Sequence, residues 1–326
     1  MKETKRICVV GAGKWGENHV STLRELGCLG AIVDSDADRL SNLQEKYGAK
    51  GYLHMEDALR DGYEGYTVAT PAATHAAIGG SLLKRGSNVL IEKPLAMSSR
   101  QAQELLDLSS RYGGKLMVGH LMLFHPAILK IKELIESGRL GRIYYLSLSR
   151  LNFGTVRNYE DVLWSFAPHD ISILNDLMHE SPSAVTANAA CCIQDELADV
   201  VSARLDYPGG AKGYLTVSWL FPFKERRIVA VGSRAMLSFD DASPNRKIYV
   251  HQKTARLQDG IPLLEDGGTE AIDFENTSPL KSELEYFVDH LESGPSIADG
   301  KSGYEVVRVL ERISDQMKRG QNTSYE

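Results

Sequence analysis

The chain has 326 residues and a formal net charge of −6, more than one ordinary hydrophobic core holds, so two domains are expected. Its 43% hydrophobic and 25% charged content is that of a globular protein, and the acidic balance argues against a nucleic-acid partner while leaving room for a local basic pocket. No apolar run is long enough to span a bilayer, the run after the basic N-terminus (Ile7-Cys8-Val9-Val10) is too short for a signal segment, and the four cysteines form no C-x-x-C pair; a cytoplasmic protein with reduced thiols and no membrane partner is expected.

Residues 7–10 read as a strand and 15–25 as a helix. A second strand (29–33) and helix (37–47) follow, then strands at 66–69 and 88–91 around a helix at 75–84. Ser98 and Gln101 form a capping box that opens a helix through Tyr112, and 116–118 is a further strand. Strands that are apolar throughout and alternate with helices imply a parallel sheet covered on both faces, an α/β arrangement. The pattern changes near residue 122. A helix over 126–137 leads into strands at 142–151, 184–192, 200–207, 213–220, 227–231 and 235–239. The alternation through Tyr214-Leu215-Thr216-Val217-Ser218-Trp219 points to antiparallel pairing. Helices near 279–291 and 304–318 end the chain. The expected division is 1–122, a Rossmann domain, and 123–326, a separate α+β domain.

Gly11-Ala12-Gly13-Lys14-Trp15-Gly16 matches G-x-G-x-x-G directly between the first strand and helix. Gly11 permits the tight turn, Gly13 lets a pyrophosphate approach the backbone, and Gly16 allows close packing. The helix N-terminus, flanked by Lys14 and Trp15, offers free N–H groups to phosphates. Asp34, at the end of the second strand, suits ribose hydroxyls and repels a 2′-phosphate, so NAD is expected rather than NADP. The alternative is a structural turn with Asp34 as a helix cap. Thr70-Pro71, with His75 beyond, and Glu92-Lys93-Pro94 fall at strand ends on the same sheet edge, where they are expected to line the nicotinamide end. His75 reads equally well as a capping histidine.

Together these residues resemble the glucose–fructose oxidoreductase and inositol dehydrogenase family (Gfo/Idh/MocA). The matching pieces are the glycine motif, Thr70-Pro71-x-x-x-His75, Glu92-Lys93-Pro94, Gly119-His120, and Trp164-Ser165-Phe166-Ala167-Pro168-His169-Asp170. The resemblance covers nearly the whole chain. It implies a C-terminal domain with a large, mainly antiparallel open sheet, which serves substrate binding and is often the interface of a homodimer or homotetramer. It also implies hydride transfer at a sugar or cyclitol carbinol. Two positions depart from the family pattern: Ser165 stands where an Asp is common, and Leu123 replaces an Arg before Phe124, which is carried as a substrate-side residue.

Oxidising a secondary alcohol needs a base, a hydride acceptor and an electropositive group near the oxygen. His169 suits the base, because an imidazole titrates in the neutral range. Lys93 suits the stabilisation of an alkoxide, and Pro94 restricts its backbone. The reverse assignment, with Lys93 as acid/base and His169 as relay, stays open, as do a solvated lysine and a structural histidine at a helix start. With no H-E-x-x-H and no Cys/His cluster, no metal is expected. Arg150, Asn152 and Arg157, together with Lys224 and Arg226 beside aromatics, suit phosphate or carboxylate; the alternative is ion pairs at a subunit interface. Within the family the resemblance is strongest to members oxidising the 3-hydroxyl of UDP-N-acetyl amino sugars or their uronic acids. A nucleotide-linked amino sugar is therefore the first expectation, a free sugar or inositol the second. A non-catalytic NAD-bound sensor is a third, motivated by Ser165.

Overall fold

A computed structural model describes residues 5–321. By compactness the chain forms two units: residues 1–124 with 277–308, and residues 125–276 with 309–326. The single cut expected after residue 122 differs from this interleaved division, because residues 277–308 return to the first unit.

In chain order the first stretch holds β1 (Ile7–Val10), α1 (Gly16–Glu25), β2 (Leu29–Val33), α2 (Ala37–Tyr47), β3 (Lys50–Tyr52), α3 (Met55–Asp61), β4 (Gly65–Val68), α4 (His75–Leu83), β5 (Val89–Glu92), α5 (Ser99–Tyr112) and β6 (Leu116–Gly119). A 3-10 turn, Leu121–Phe124, follows. Next come α6 (Pro126–Glu136), β7 (Ile143–Phe153), α7 (Val162–Met178), β8 (Ala184–Ala190), β9 (Val200–Asp206), β10 (Lys212–Ser218), β11 (Leu220–Gly232), β12 (Met236–Asp240), β13 (Ile248–Gln258) and β14 (Ile261–Ile272). Two helices, α8 (Pro279–Asp289) and α9 (Gly300–Gln321), complete the order.

Unit 1 contains a six-stranded sheet in the order β3-β2-β1-β4-β5-β6, parallel at every pairing. β1, β4, β5 and β6 are buried along their whole length, which is why they read as unbroken apolar runs. Local chemistry sets the helix ends. Asp36 caps α2 by accepting from Arg39 N–H at 3.0 Å, and Gly48 closes it with a φ of 63°. Ser98 accepts from Gln101 N–H at 3.2 Å to open α5.

Unit 2 is built on an eight-stranded sheet, β14-β13-β12-β11-β7-β10-β9-β8. Its pairings are antiparallel except that of β7 with β10. α7 packs on β7, β9 and β10 and begins at Asp161, which accepts from Trp164 N–H at 3.0 Å. Pro168 lies inside α7, so the Trp164 carbonyl has no helical N–H donor at that point. The β13–β14 hairpin was not read from the sequence. It turns at Asp259 and Gly260, whose φ values of 51° and 79° suit a tight two-residue turn. Among the described residues, no helix is long and apolar enough to cross a membrane.

Candidate active site

The glycine motif forms a turn between β1 and α1. Gly11 adopts a φ of 84°, and a Cβ there would stand 2.5 Å from Thr70 Cγ2, so a side chain is excluded twice over. A Cβ on Gly16 would fall 1.9 Å from the Gly11 carbonyl oxygen, so this glycine lets α1 close on the turn. Gly13 is different: no protein atom lies within 4 Å of where its Cβ would be. Its bare backbone therefore faces open space, and α1, which begins three residues on at Gly16, has no side-chain cap. A free helix start above an uncovered glycine suits a phosphate group, so the residues present fit a dinucleotide.

Asp34 ties this turn to β2. Its Oδ2 accepts from Ala12 N–H at 2.8 Å, while Oδ1 accepts from Asp36 N–H at 2.9 Å and from Arg39 Nη1 at 3.0 Å. Arg39 also pairs with Asp36 at 3.0 Å. Sequence reading missed Arg39, although an arginine beside the β2 acid bears directly on 2′-phosphate recognition. Lys14 is exposed.

The strand ends of β4 and β5 adjoin the turn. Thr70 accepts from Thr74 Oγ1 at 2.7 Å, and Pro71 is exposed. His75 is buried between two backbone carbonyls, with Nδ1 2.8 Å from Pro94 O and Nε2 2.9 Å from Thr70 O. It thus clamps the two loops to each other; both ring nitrogens are occupied within the protein. The Lys93–Pro94 peptide is cis, and Lys93 is half-buried at the end of β5.

Glu92 is the hub of this edge. Trp15, 41% exposed, donates its indole N–H to Glu92 Oε1 at 2.7 Å, and His19 Nε2 lies 2.9 Å from the same oxygen. A Cβ on Gly119 would come within 2.9 Å of the carboxylate, so the glycine of β6 makes room for it. Burial alone would raise the Glu92 pKa. The His19 hydrogen bond and charge, the Trp15 hydrogen bond and the Lys93 charge outweigh burial and hold the carboxyl low. His19 was missed in the sequence because nothing marks a helix histidine as the partner of a distant glutamate.

Phe124 belongs to unit 1, where it is buried with its ring 5.2 Å from that of Tyr286. That is a core contact, whereas the sequence carried Phe124 as a substrate residue.

In unit 2, Ser165 and His169 lie one turn apart in the interior of α7, not at a helix start. Ser165 is buried and His169 half-buried. Asp170, next in sequence, accepts from Arg150 of β7 in a two-pronged contact, Nε to Oδ2 at 2.7 Å and Nη2 to Oδ1 at 2.9 Å. Arg226 of β11 stands directly opposite Arg150 in the antiparallel register and pairs with Asp241 at 3.6 Å. Burial first, and then the Arg150 charge, lower the Arg226 pKa, against the pull of Asp241 and Asp170. Asp241 also pairs with Arg246 at 2.7 Å and lies 3.5 Å from His125 Nε2. The His125 hydrogen bond, more than the surrounding guanidiniums, pulls its carboxyl far below the usual range. Three guanidiniums therefore share two carboxylates.

The other sequence candidates fall outside this group. Asn152 Oδ1 is buried without a hydrogen-bond partner, Arg157 is bound to Tyr159 and Glu160, and Lys224 is exposed. Lys224 and Arg226 lie within the long strand β11, which begins seven residues before the strand expected at 227–231.

Comparison with known proteins agrees with this construction. Residues 5–120 match a family model described as oxidoreductase family, NAD-binding Rossmann fold, and residues 128–238 match the GFO/IDH/MocA C-terminal domain. The chain is 25% identical over 310 residues to UDP-N-acetylglucosamine 3-dehydrogenase of Acidithiobacillus ferrooxidans, covering 94% of this chain and 96% of that protein. A solved structure of the same enzyme superposes with a TM-score of 0.85 at 24% identity, covering 97% and 98% of the two chains. Inositol 2-dehydrogenase of Rhizobium meliloti is 23% identical, with 94% and 95% covered. The chain belongs to the GFO/IDH/MocA family of NAD-binding oxidoreductases and is a dehydrogenase.

Proposed function

We propose that the protein uses NAD to oxidise a secondary hydroxyl of a nucleotide-linked amino sugar, or its uronic acid, at the 3-position. One observation carries the anionic character of the substrate: Arg150 and Arg226 stand opposite each other on β7 and β11, and with Arg246 they share only Asp170 and Asp241. The excess positive charge suits a phosphate or carboxylate. Similarity along nearly the full chain to a UDP-N-acetylglucosamine 3-dehydrogenase supports the sugar class.

Bound NAD supplies the hydride acceptor. Gly11, Gly13 and the start of α1 would hold its pyrophosphate, and Asp34 its adenosine ribose. NAD is favoured over NADP because Arg39 is already engaged by Asp34 and Asp36. Lys93 stabilises the oxygen as it becomes alkoxide-like, and His169 takes the hydroxyl proton. Asp170, next to His169 in sequence, is held through both oxygens by Arg150. Ser165 contributes a hydroxyl and no charge. Self-association through the eight-stranded sheet belongs to the same reading; Tyr145 and Tyr214 meet edge to face at 5.7 Å and are 37% and 42% exposed.

The test is turnover of a panel of UDP-sugars and free polyols with NAD. Oxidation of a UDP-N-acetyl sugar is expected. Turnover of inositol with none of any UDP-sugar would replace this reading by the one that the inositol dehydrogenase relative favours.

A further inference from the structure

Unit 1 buries a second carboxyl group near Glu92. Glu283, on α8, is wholly inaccessible, and neither of its oxygens has a hydrogen-bond partner in the protein. α8 is seated by packing on α1, where Lys281 Nζ meets Glu25 Oε1 at 2.6 Å, and on the Leu121–Phe124 turn through Tyr286. That brings Glu283 close enough for the Glu92 charge to act on it. His120 is also buried with both ring nitrogens unpartnered, and it feels the charges of Glu92 and Lys93. His19 Nδ1 is a further buried nitrogen without a partner.

A carboxylate stripped of water and given no donor is strongly penalised, so Glu283 keeps its proton. Burial first, and then the Glu92 charge, push its carboxyl well above the usual range, while burial lowers His120 to about 4. At neutral pH, Glu92 is thus the charged member, and Glu283 and His120 are neutral. A carboxylic acid has a proton to donate, and the acceptor near it is Glu92. Their separation exceeds a direct hydrogen bond, and a cluster of orphaned polar atoms of this kind is the usual setting of an ordered internal water.

We propose that Glu283 is a positioning residue: its carboxylic acid donates through enclosed water to Glu92 and so fixes the carboxylate that joins Trp15 of the glycine turn to the strand end bearing Lys93. Only the kinetic arm of the test below rests on the role given to Lys93 above.

The experiment compares Glu283→Gln, which keeps a donor and cannot ionise, with Glu283→Leu, which keeps bulk and loses the donor. A group whose folded pKa lies above its unfolded value loses stabilising power as pH rises. The Gln variant should therefore melt higher than the wild type at pH 8, with the advantage shrinking toward pH 5. Glu92, whose charge acts on Glu283, is the same in both proteins and drops out of the difference. In NAD-dependent turnover the Leu variant should fall about tenfold in kcat/KM, and Gln should restore most of that loss. A melting difference that does not change with pH overturns the neutral acid. A Leu variant as active as wild type, or a Gln variant as impaired as Leu, overturns the positioning role. Should the wild type oxidise no sugar, the proposed substrate fails, while the melting comparison still decides the state of Glu283.

Discussion

Glu92 in unit 1 and Asp170 in unit 2 are both buried carboxylates, held by different means. Glu92 sits against an indole N–H and an imidazole carried by one turn of loop and helix, with the bare Gly119 making room for its carboxylate. Asp170, on helix α7, is held by a guanidinium from strand β7, and that guanidinium lies opposite a second one on β11. The first centre depends on backbone shape and on hydrogen bonds between neighbouring segments. The second depends on a balance of charges, and such a balance can be retuned by single substitutions without altering the fold.

Lys93→Met should give the largest effect, a fall of about a thousandfold in kcat/KM with NAD affinity nearly unchanged, read by turnover and calorimetry. Retained turnover would mean that the β5 edge only frames the site. Asp170→Ala strikes the other centre and leaves Arg150 buried without its counter-charge. Denaturant melts should show a loss of about 3–5 kcal/mol, and a smaller loss would show that the neighbouring carboxylate takes over. Asp34→Ala should weaken NAD about tenfold and free Arg39, narrowing the preference against NADP; unchanged selectivity would remove Asp34 from ribose recognition.

The smallest effect is a pH slope. His120 is depressed to about 4 from an ordinary 6.5, so between those values the unfolded chain binds more protons and stability falls as pH drops. His120→Gln should flatten the melting curve across that window. An unchanged slope would place the acid sensitivity elsewhere, with the ion pairs around Asp241 the first suspects.

Unit 1 was largely legible because its strands are short, β1, β4, β5 and β6 are buried throughout, and its helices are closed by glycines and capping residues; the exposed edge strand β3 was not read. The glycine turn, Asp34 and the Glu92-Lys93 strand end could be read from local spacing. The partners of these residues could not. His19, Arg39 and Glu283 carry no local signature, and Glu283 comes from a helix nearly 200 positions beyond Glu92. Unit 2 yielded less. Its half-exposed strands alternate weakly, so β11 was read too short, the hairpin of β13 and β14 was passed over despite Asp259-Gly260, and the parallel pairing of β7 with β10 left no trace in either strand.

The sequence by itself determined the dinucleotide turn, the parallel sheet and the chemical types placed at its edge, because backbone geometry and strand burial act over a few neighbouring residues. Only the tertiary structure decided that α8 rejoins unit 1, that Arg226 stands against Arg150, and which acids lie buried together. Those outcomes depend on packing and charge between segments far apart in the chain, and no local pattern encodes them.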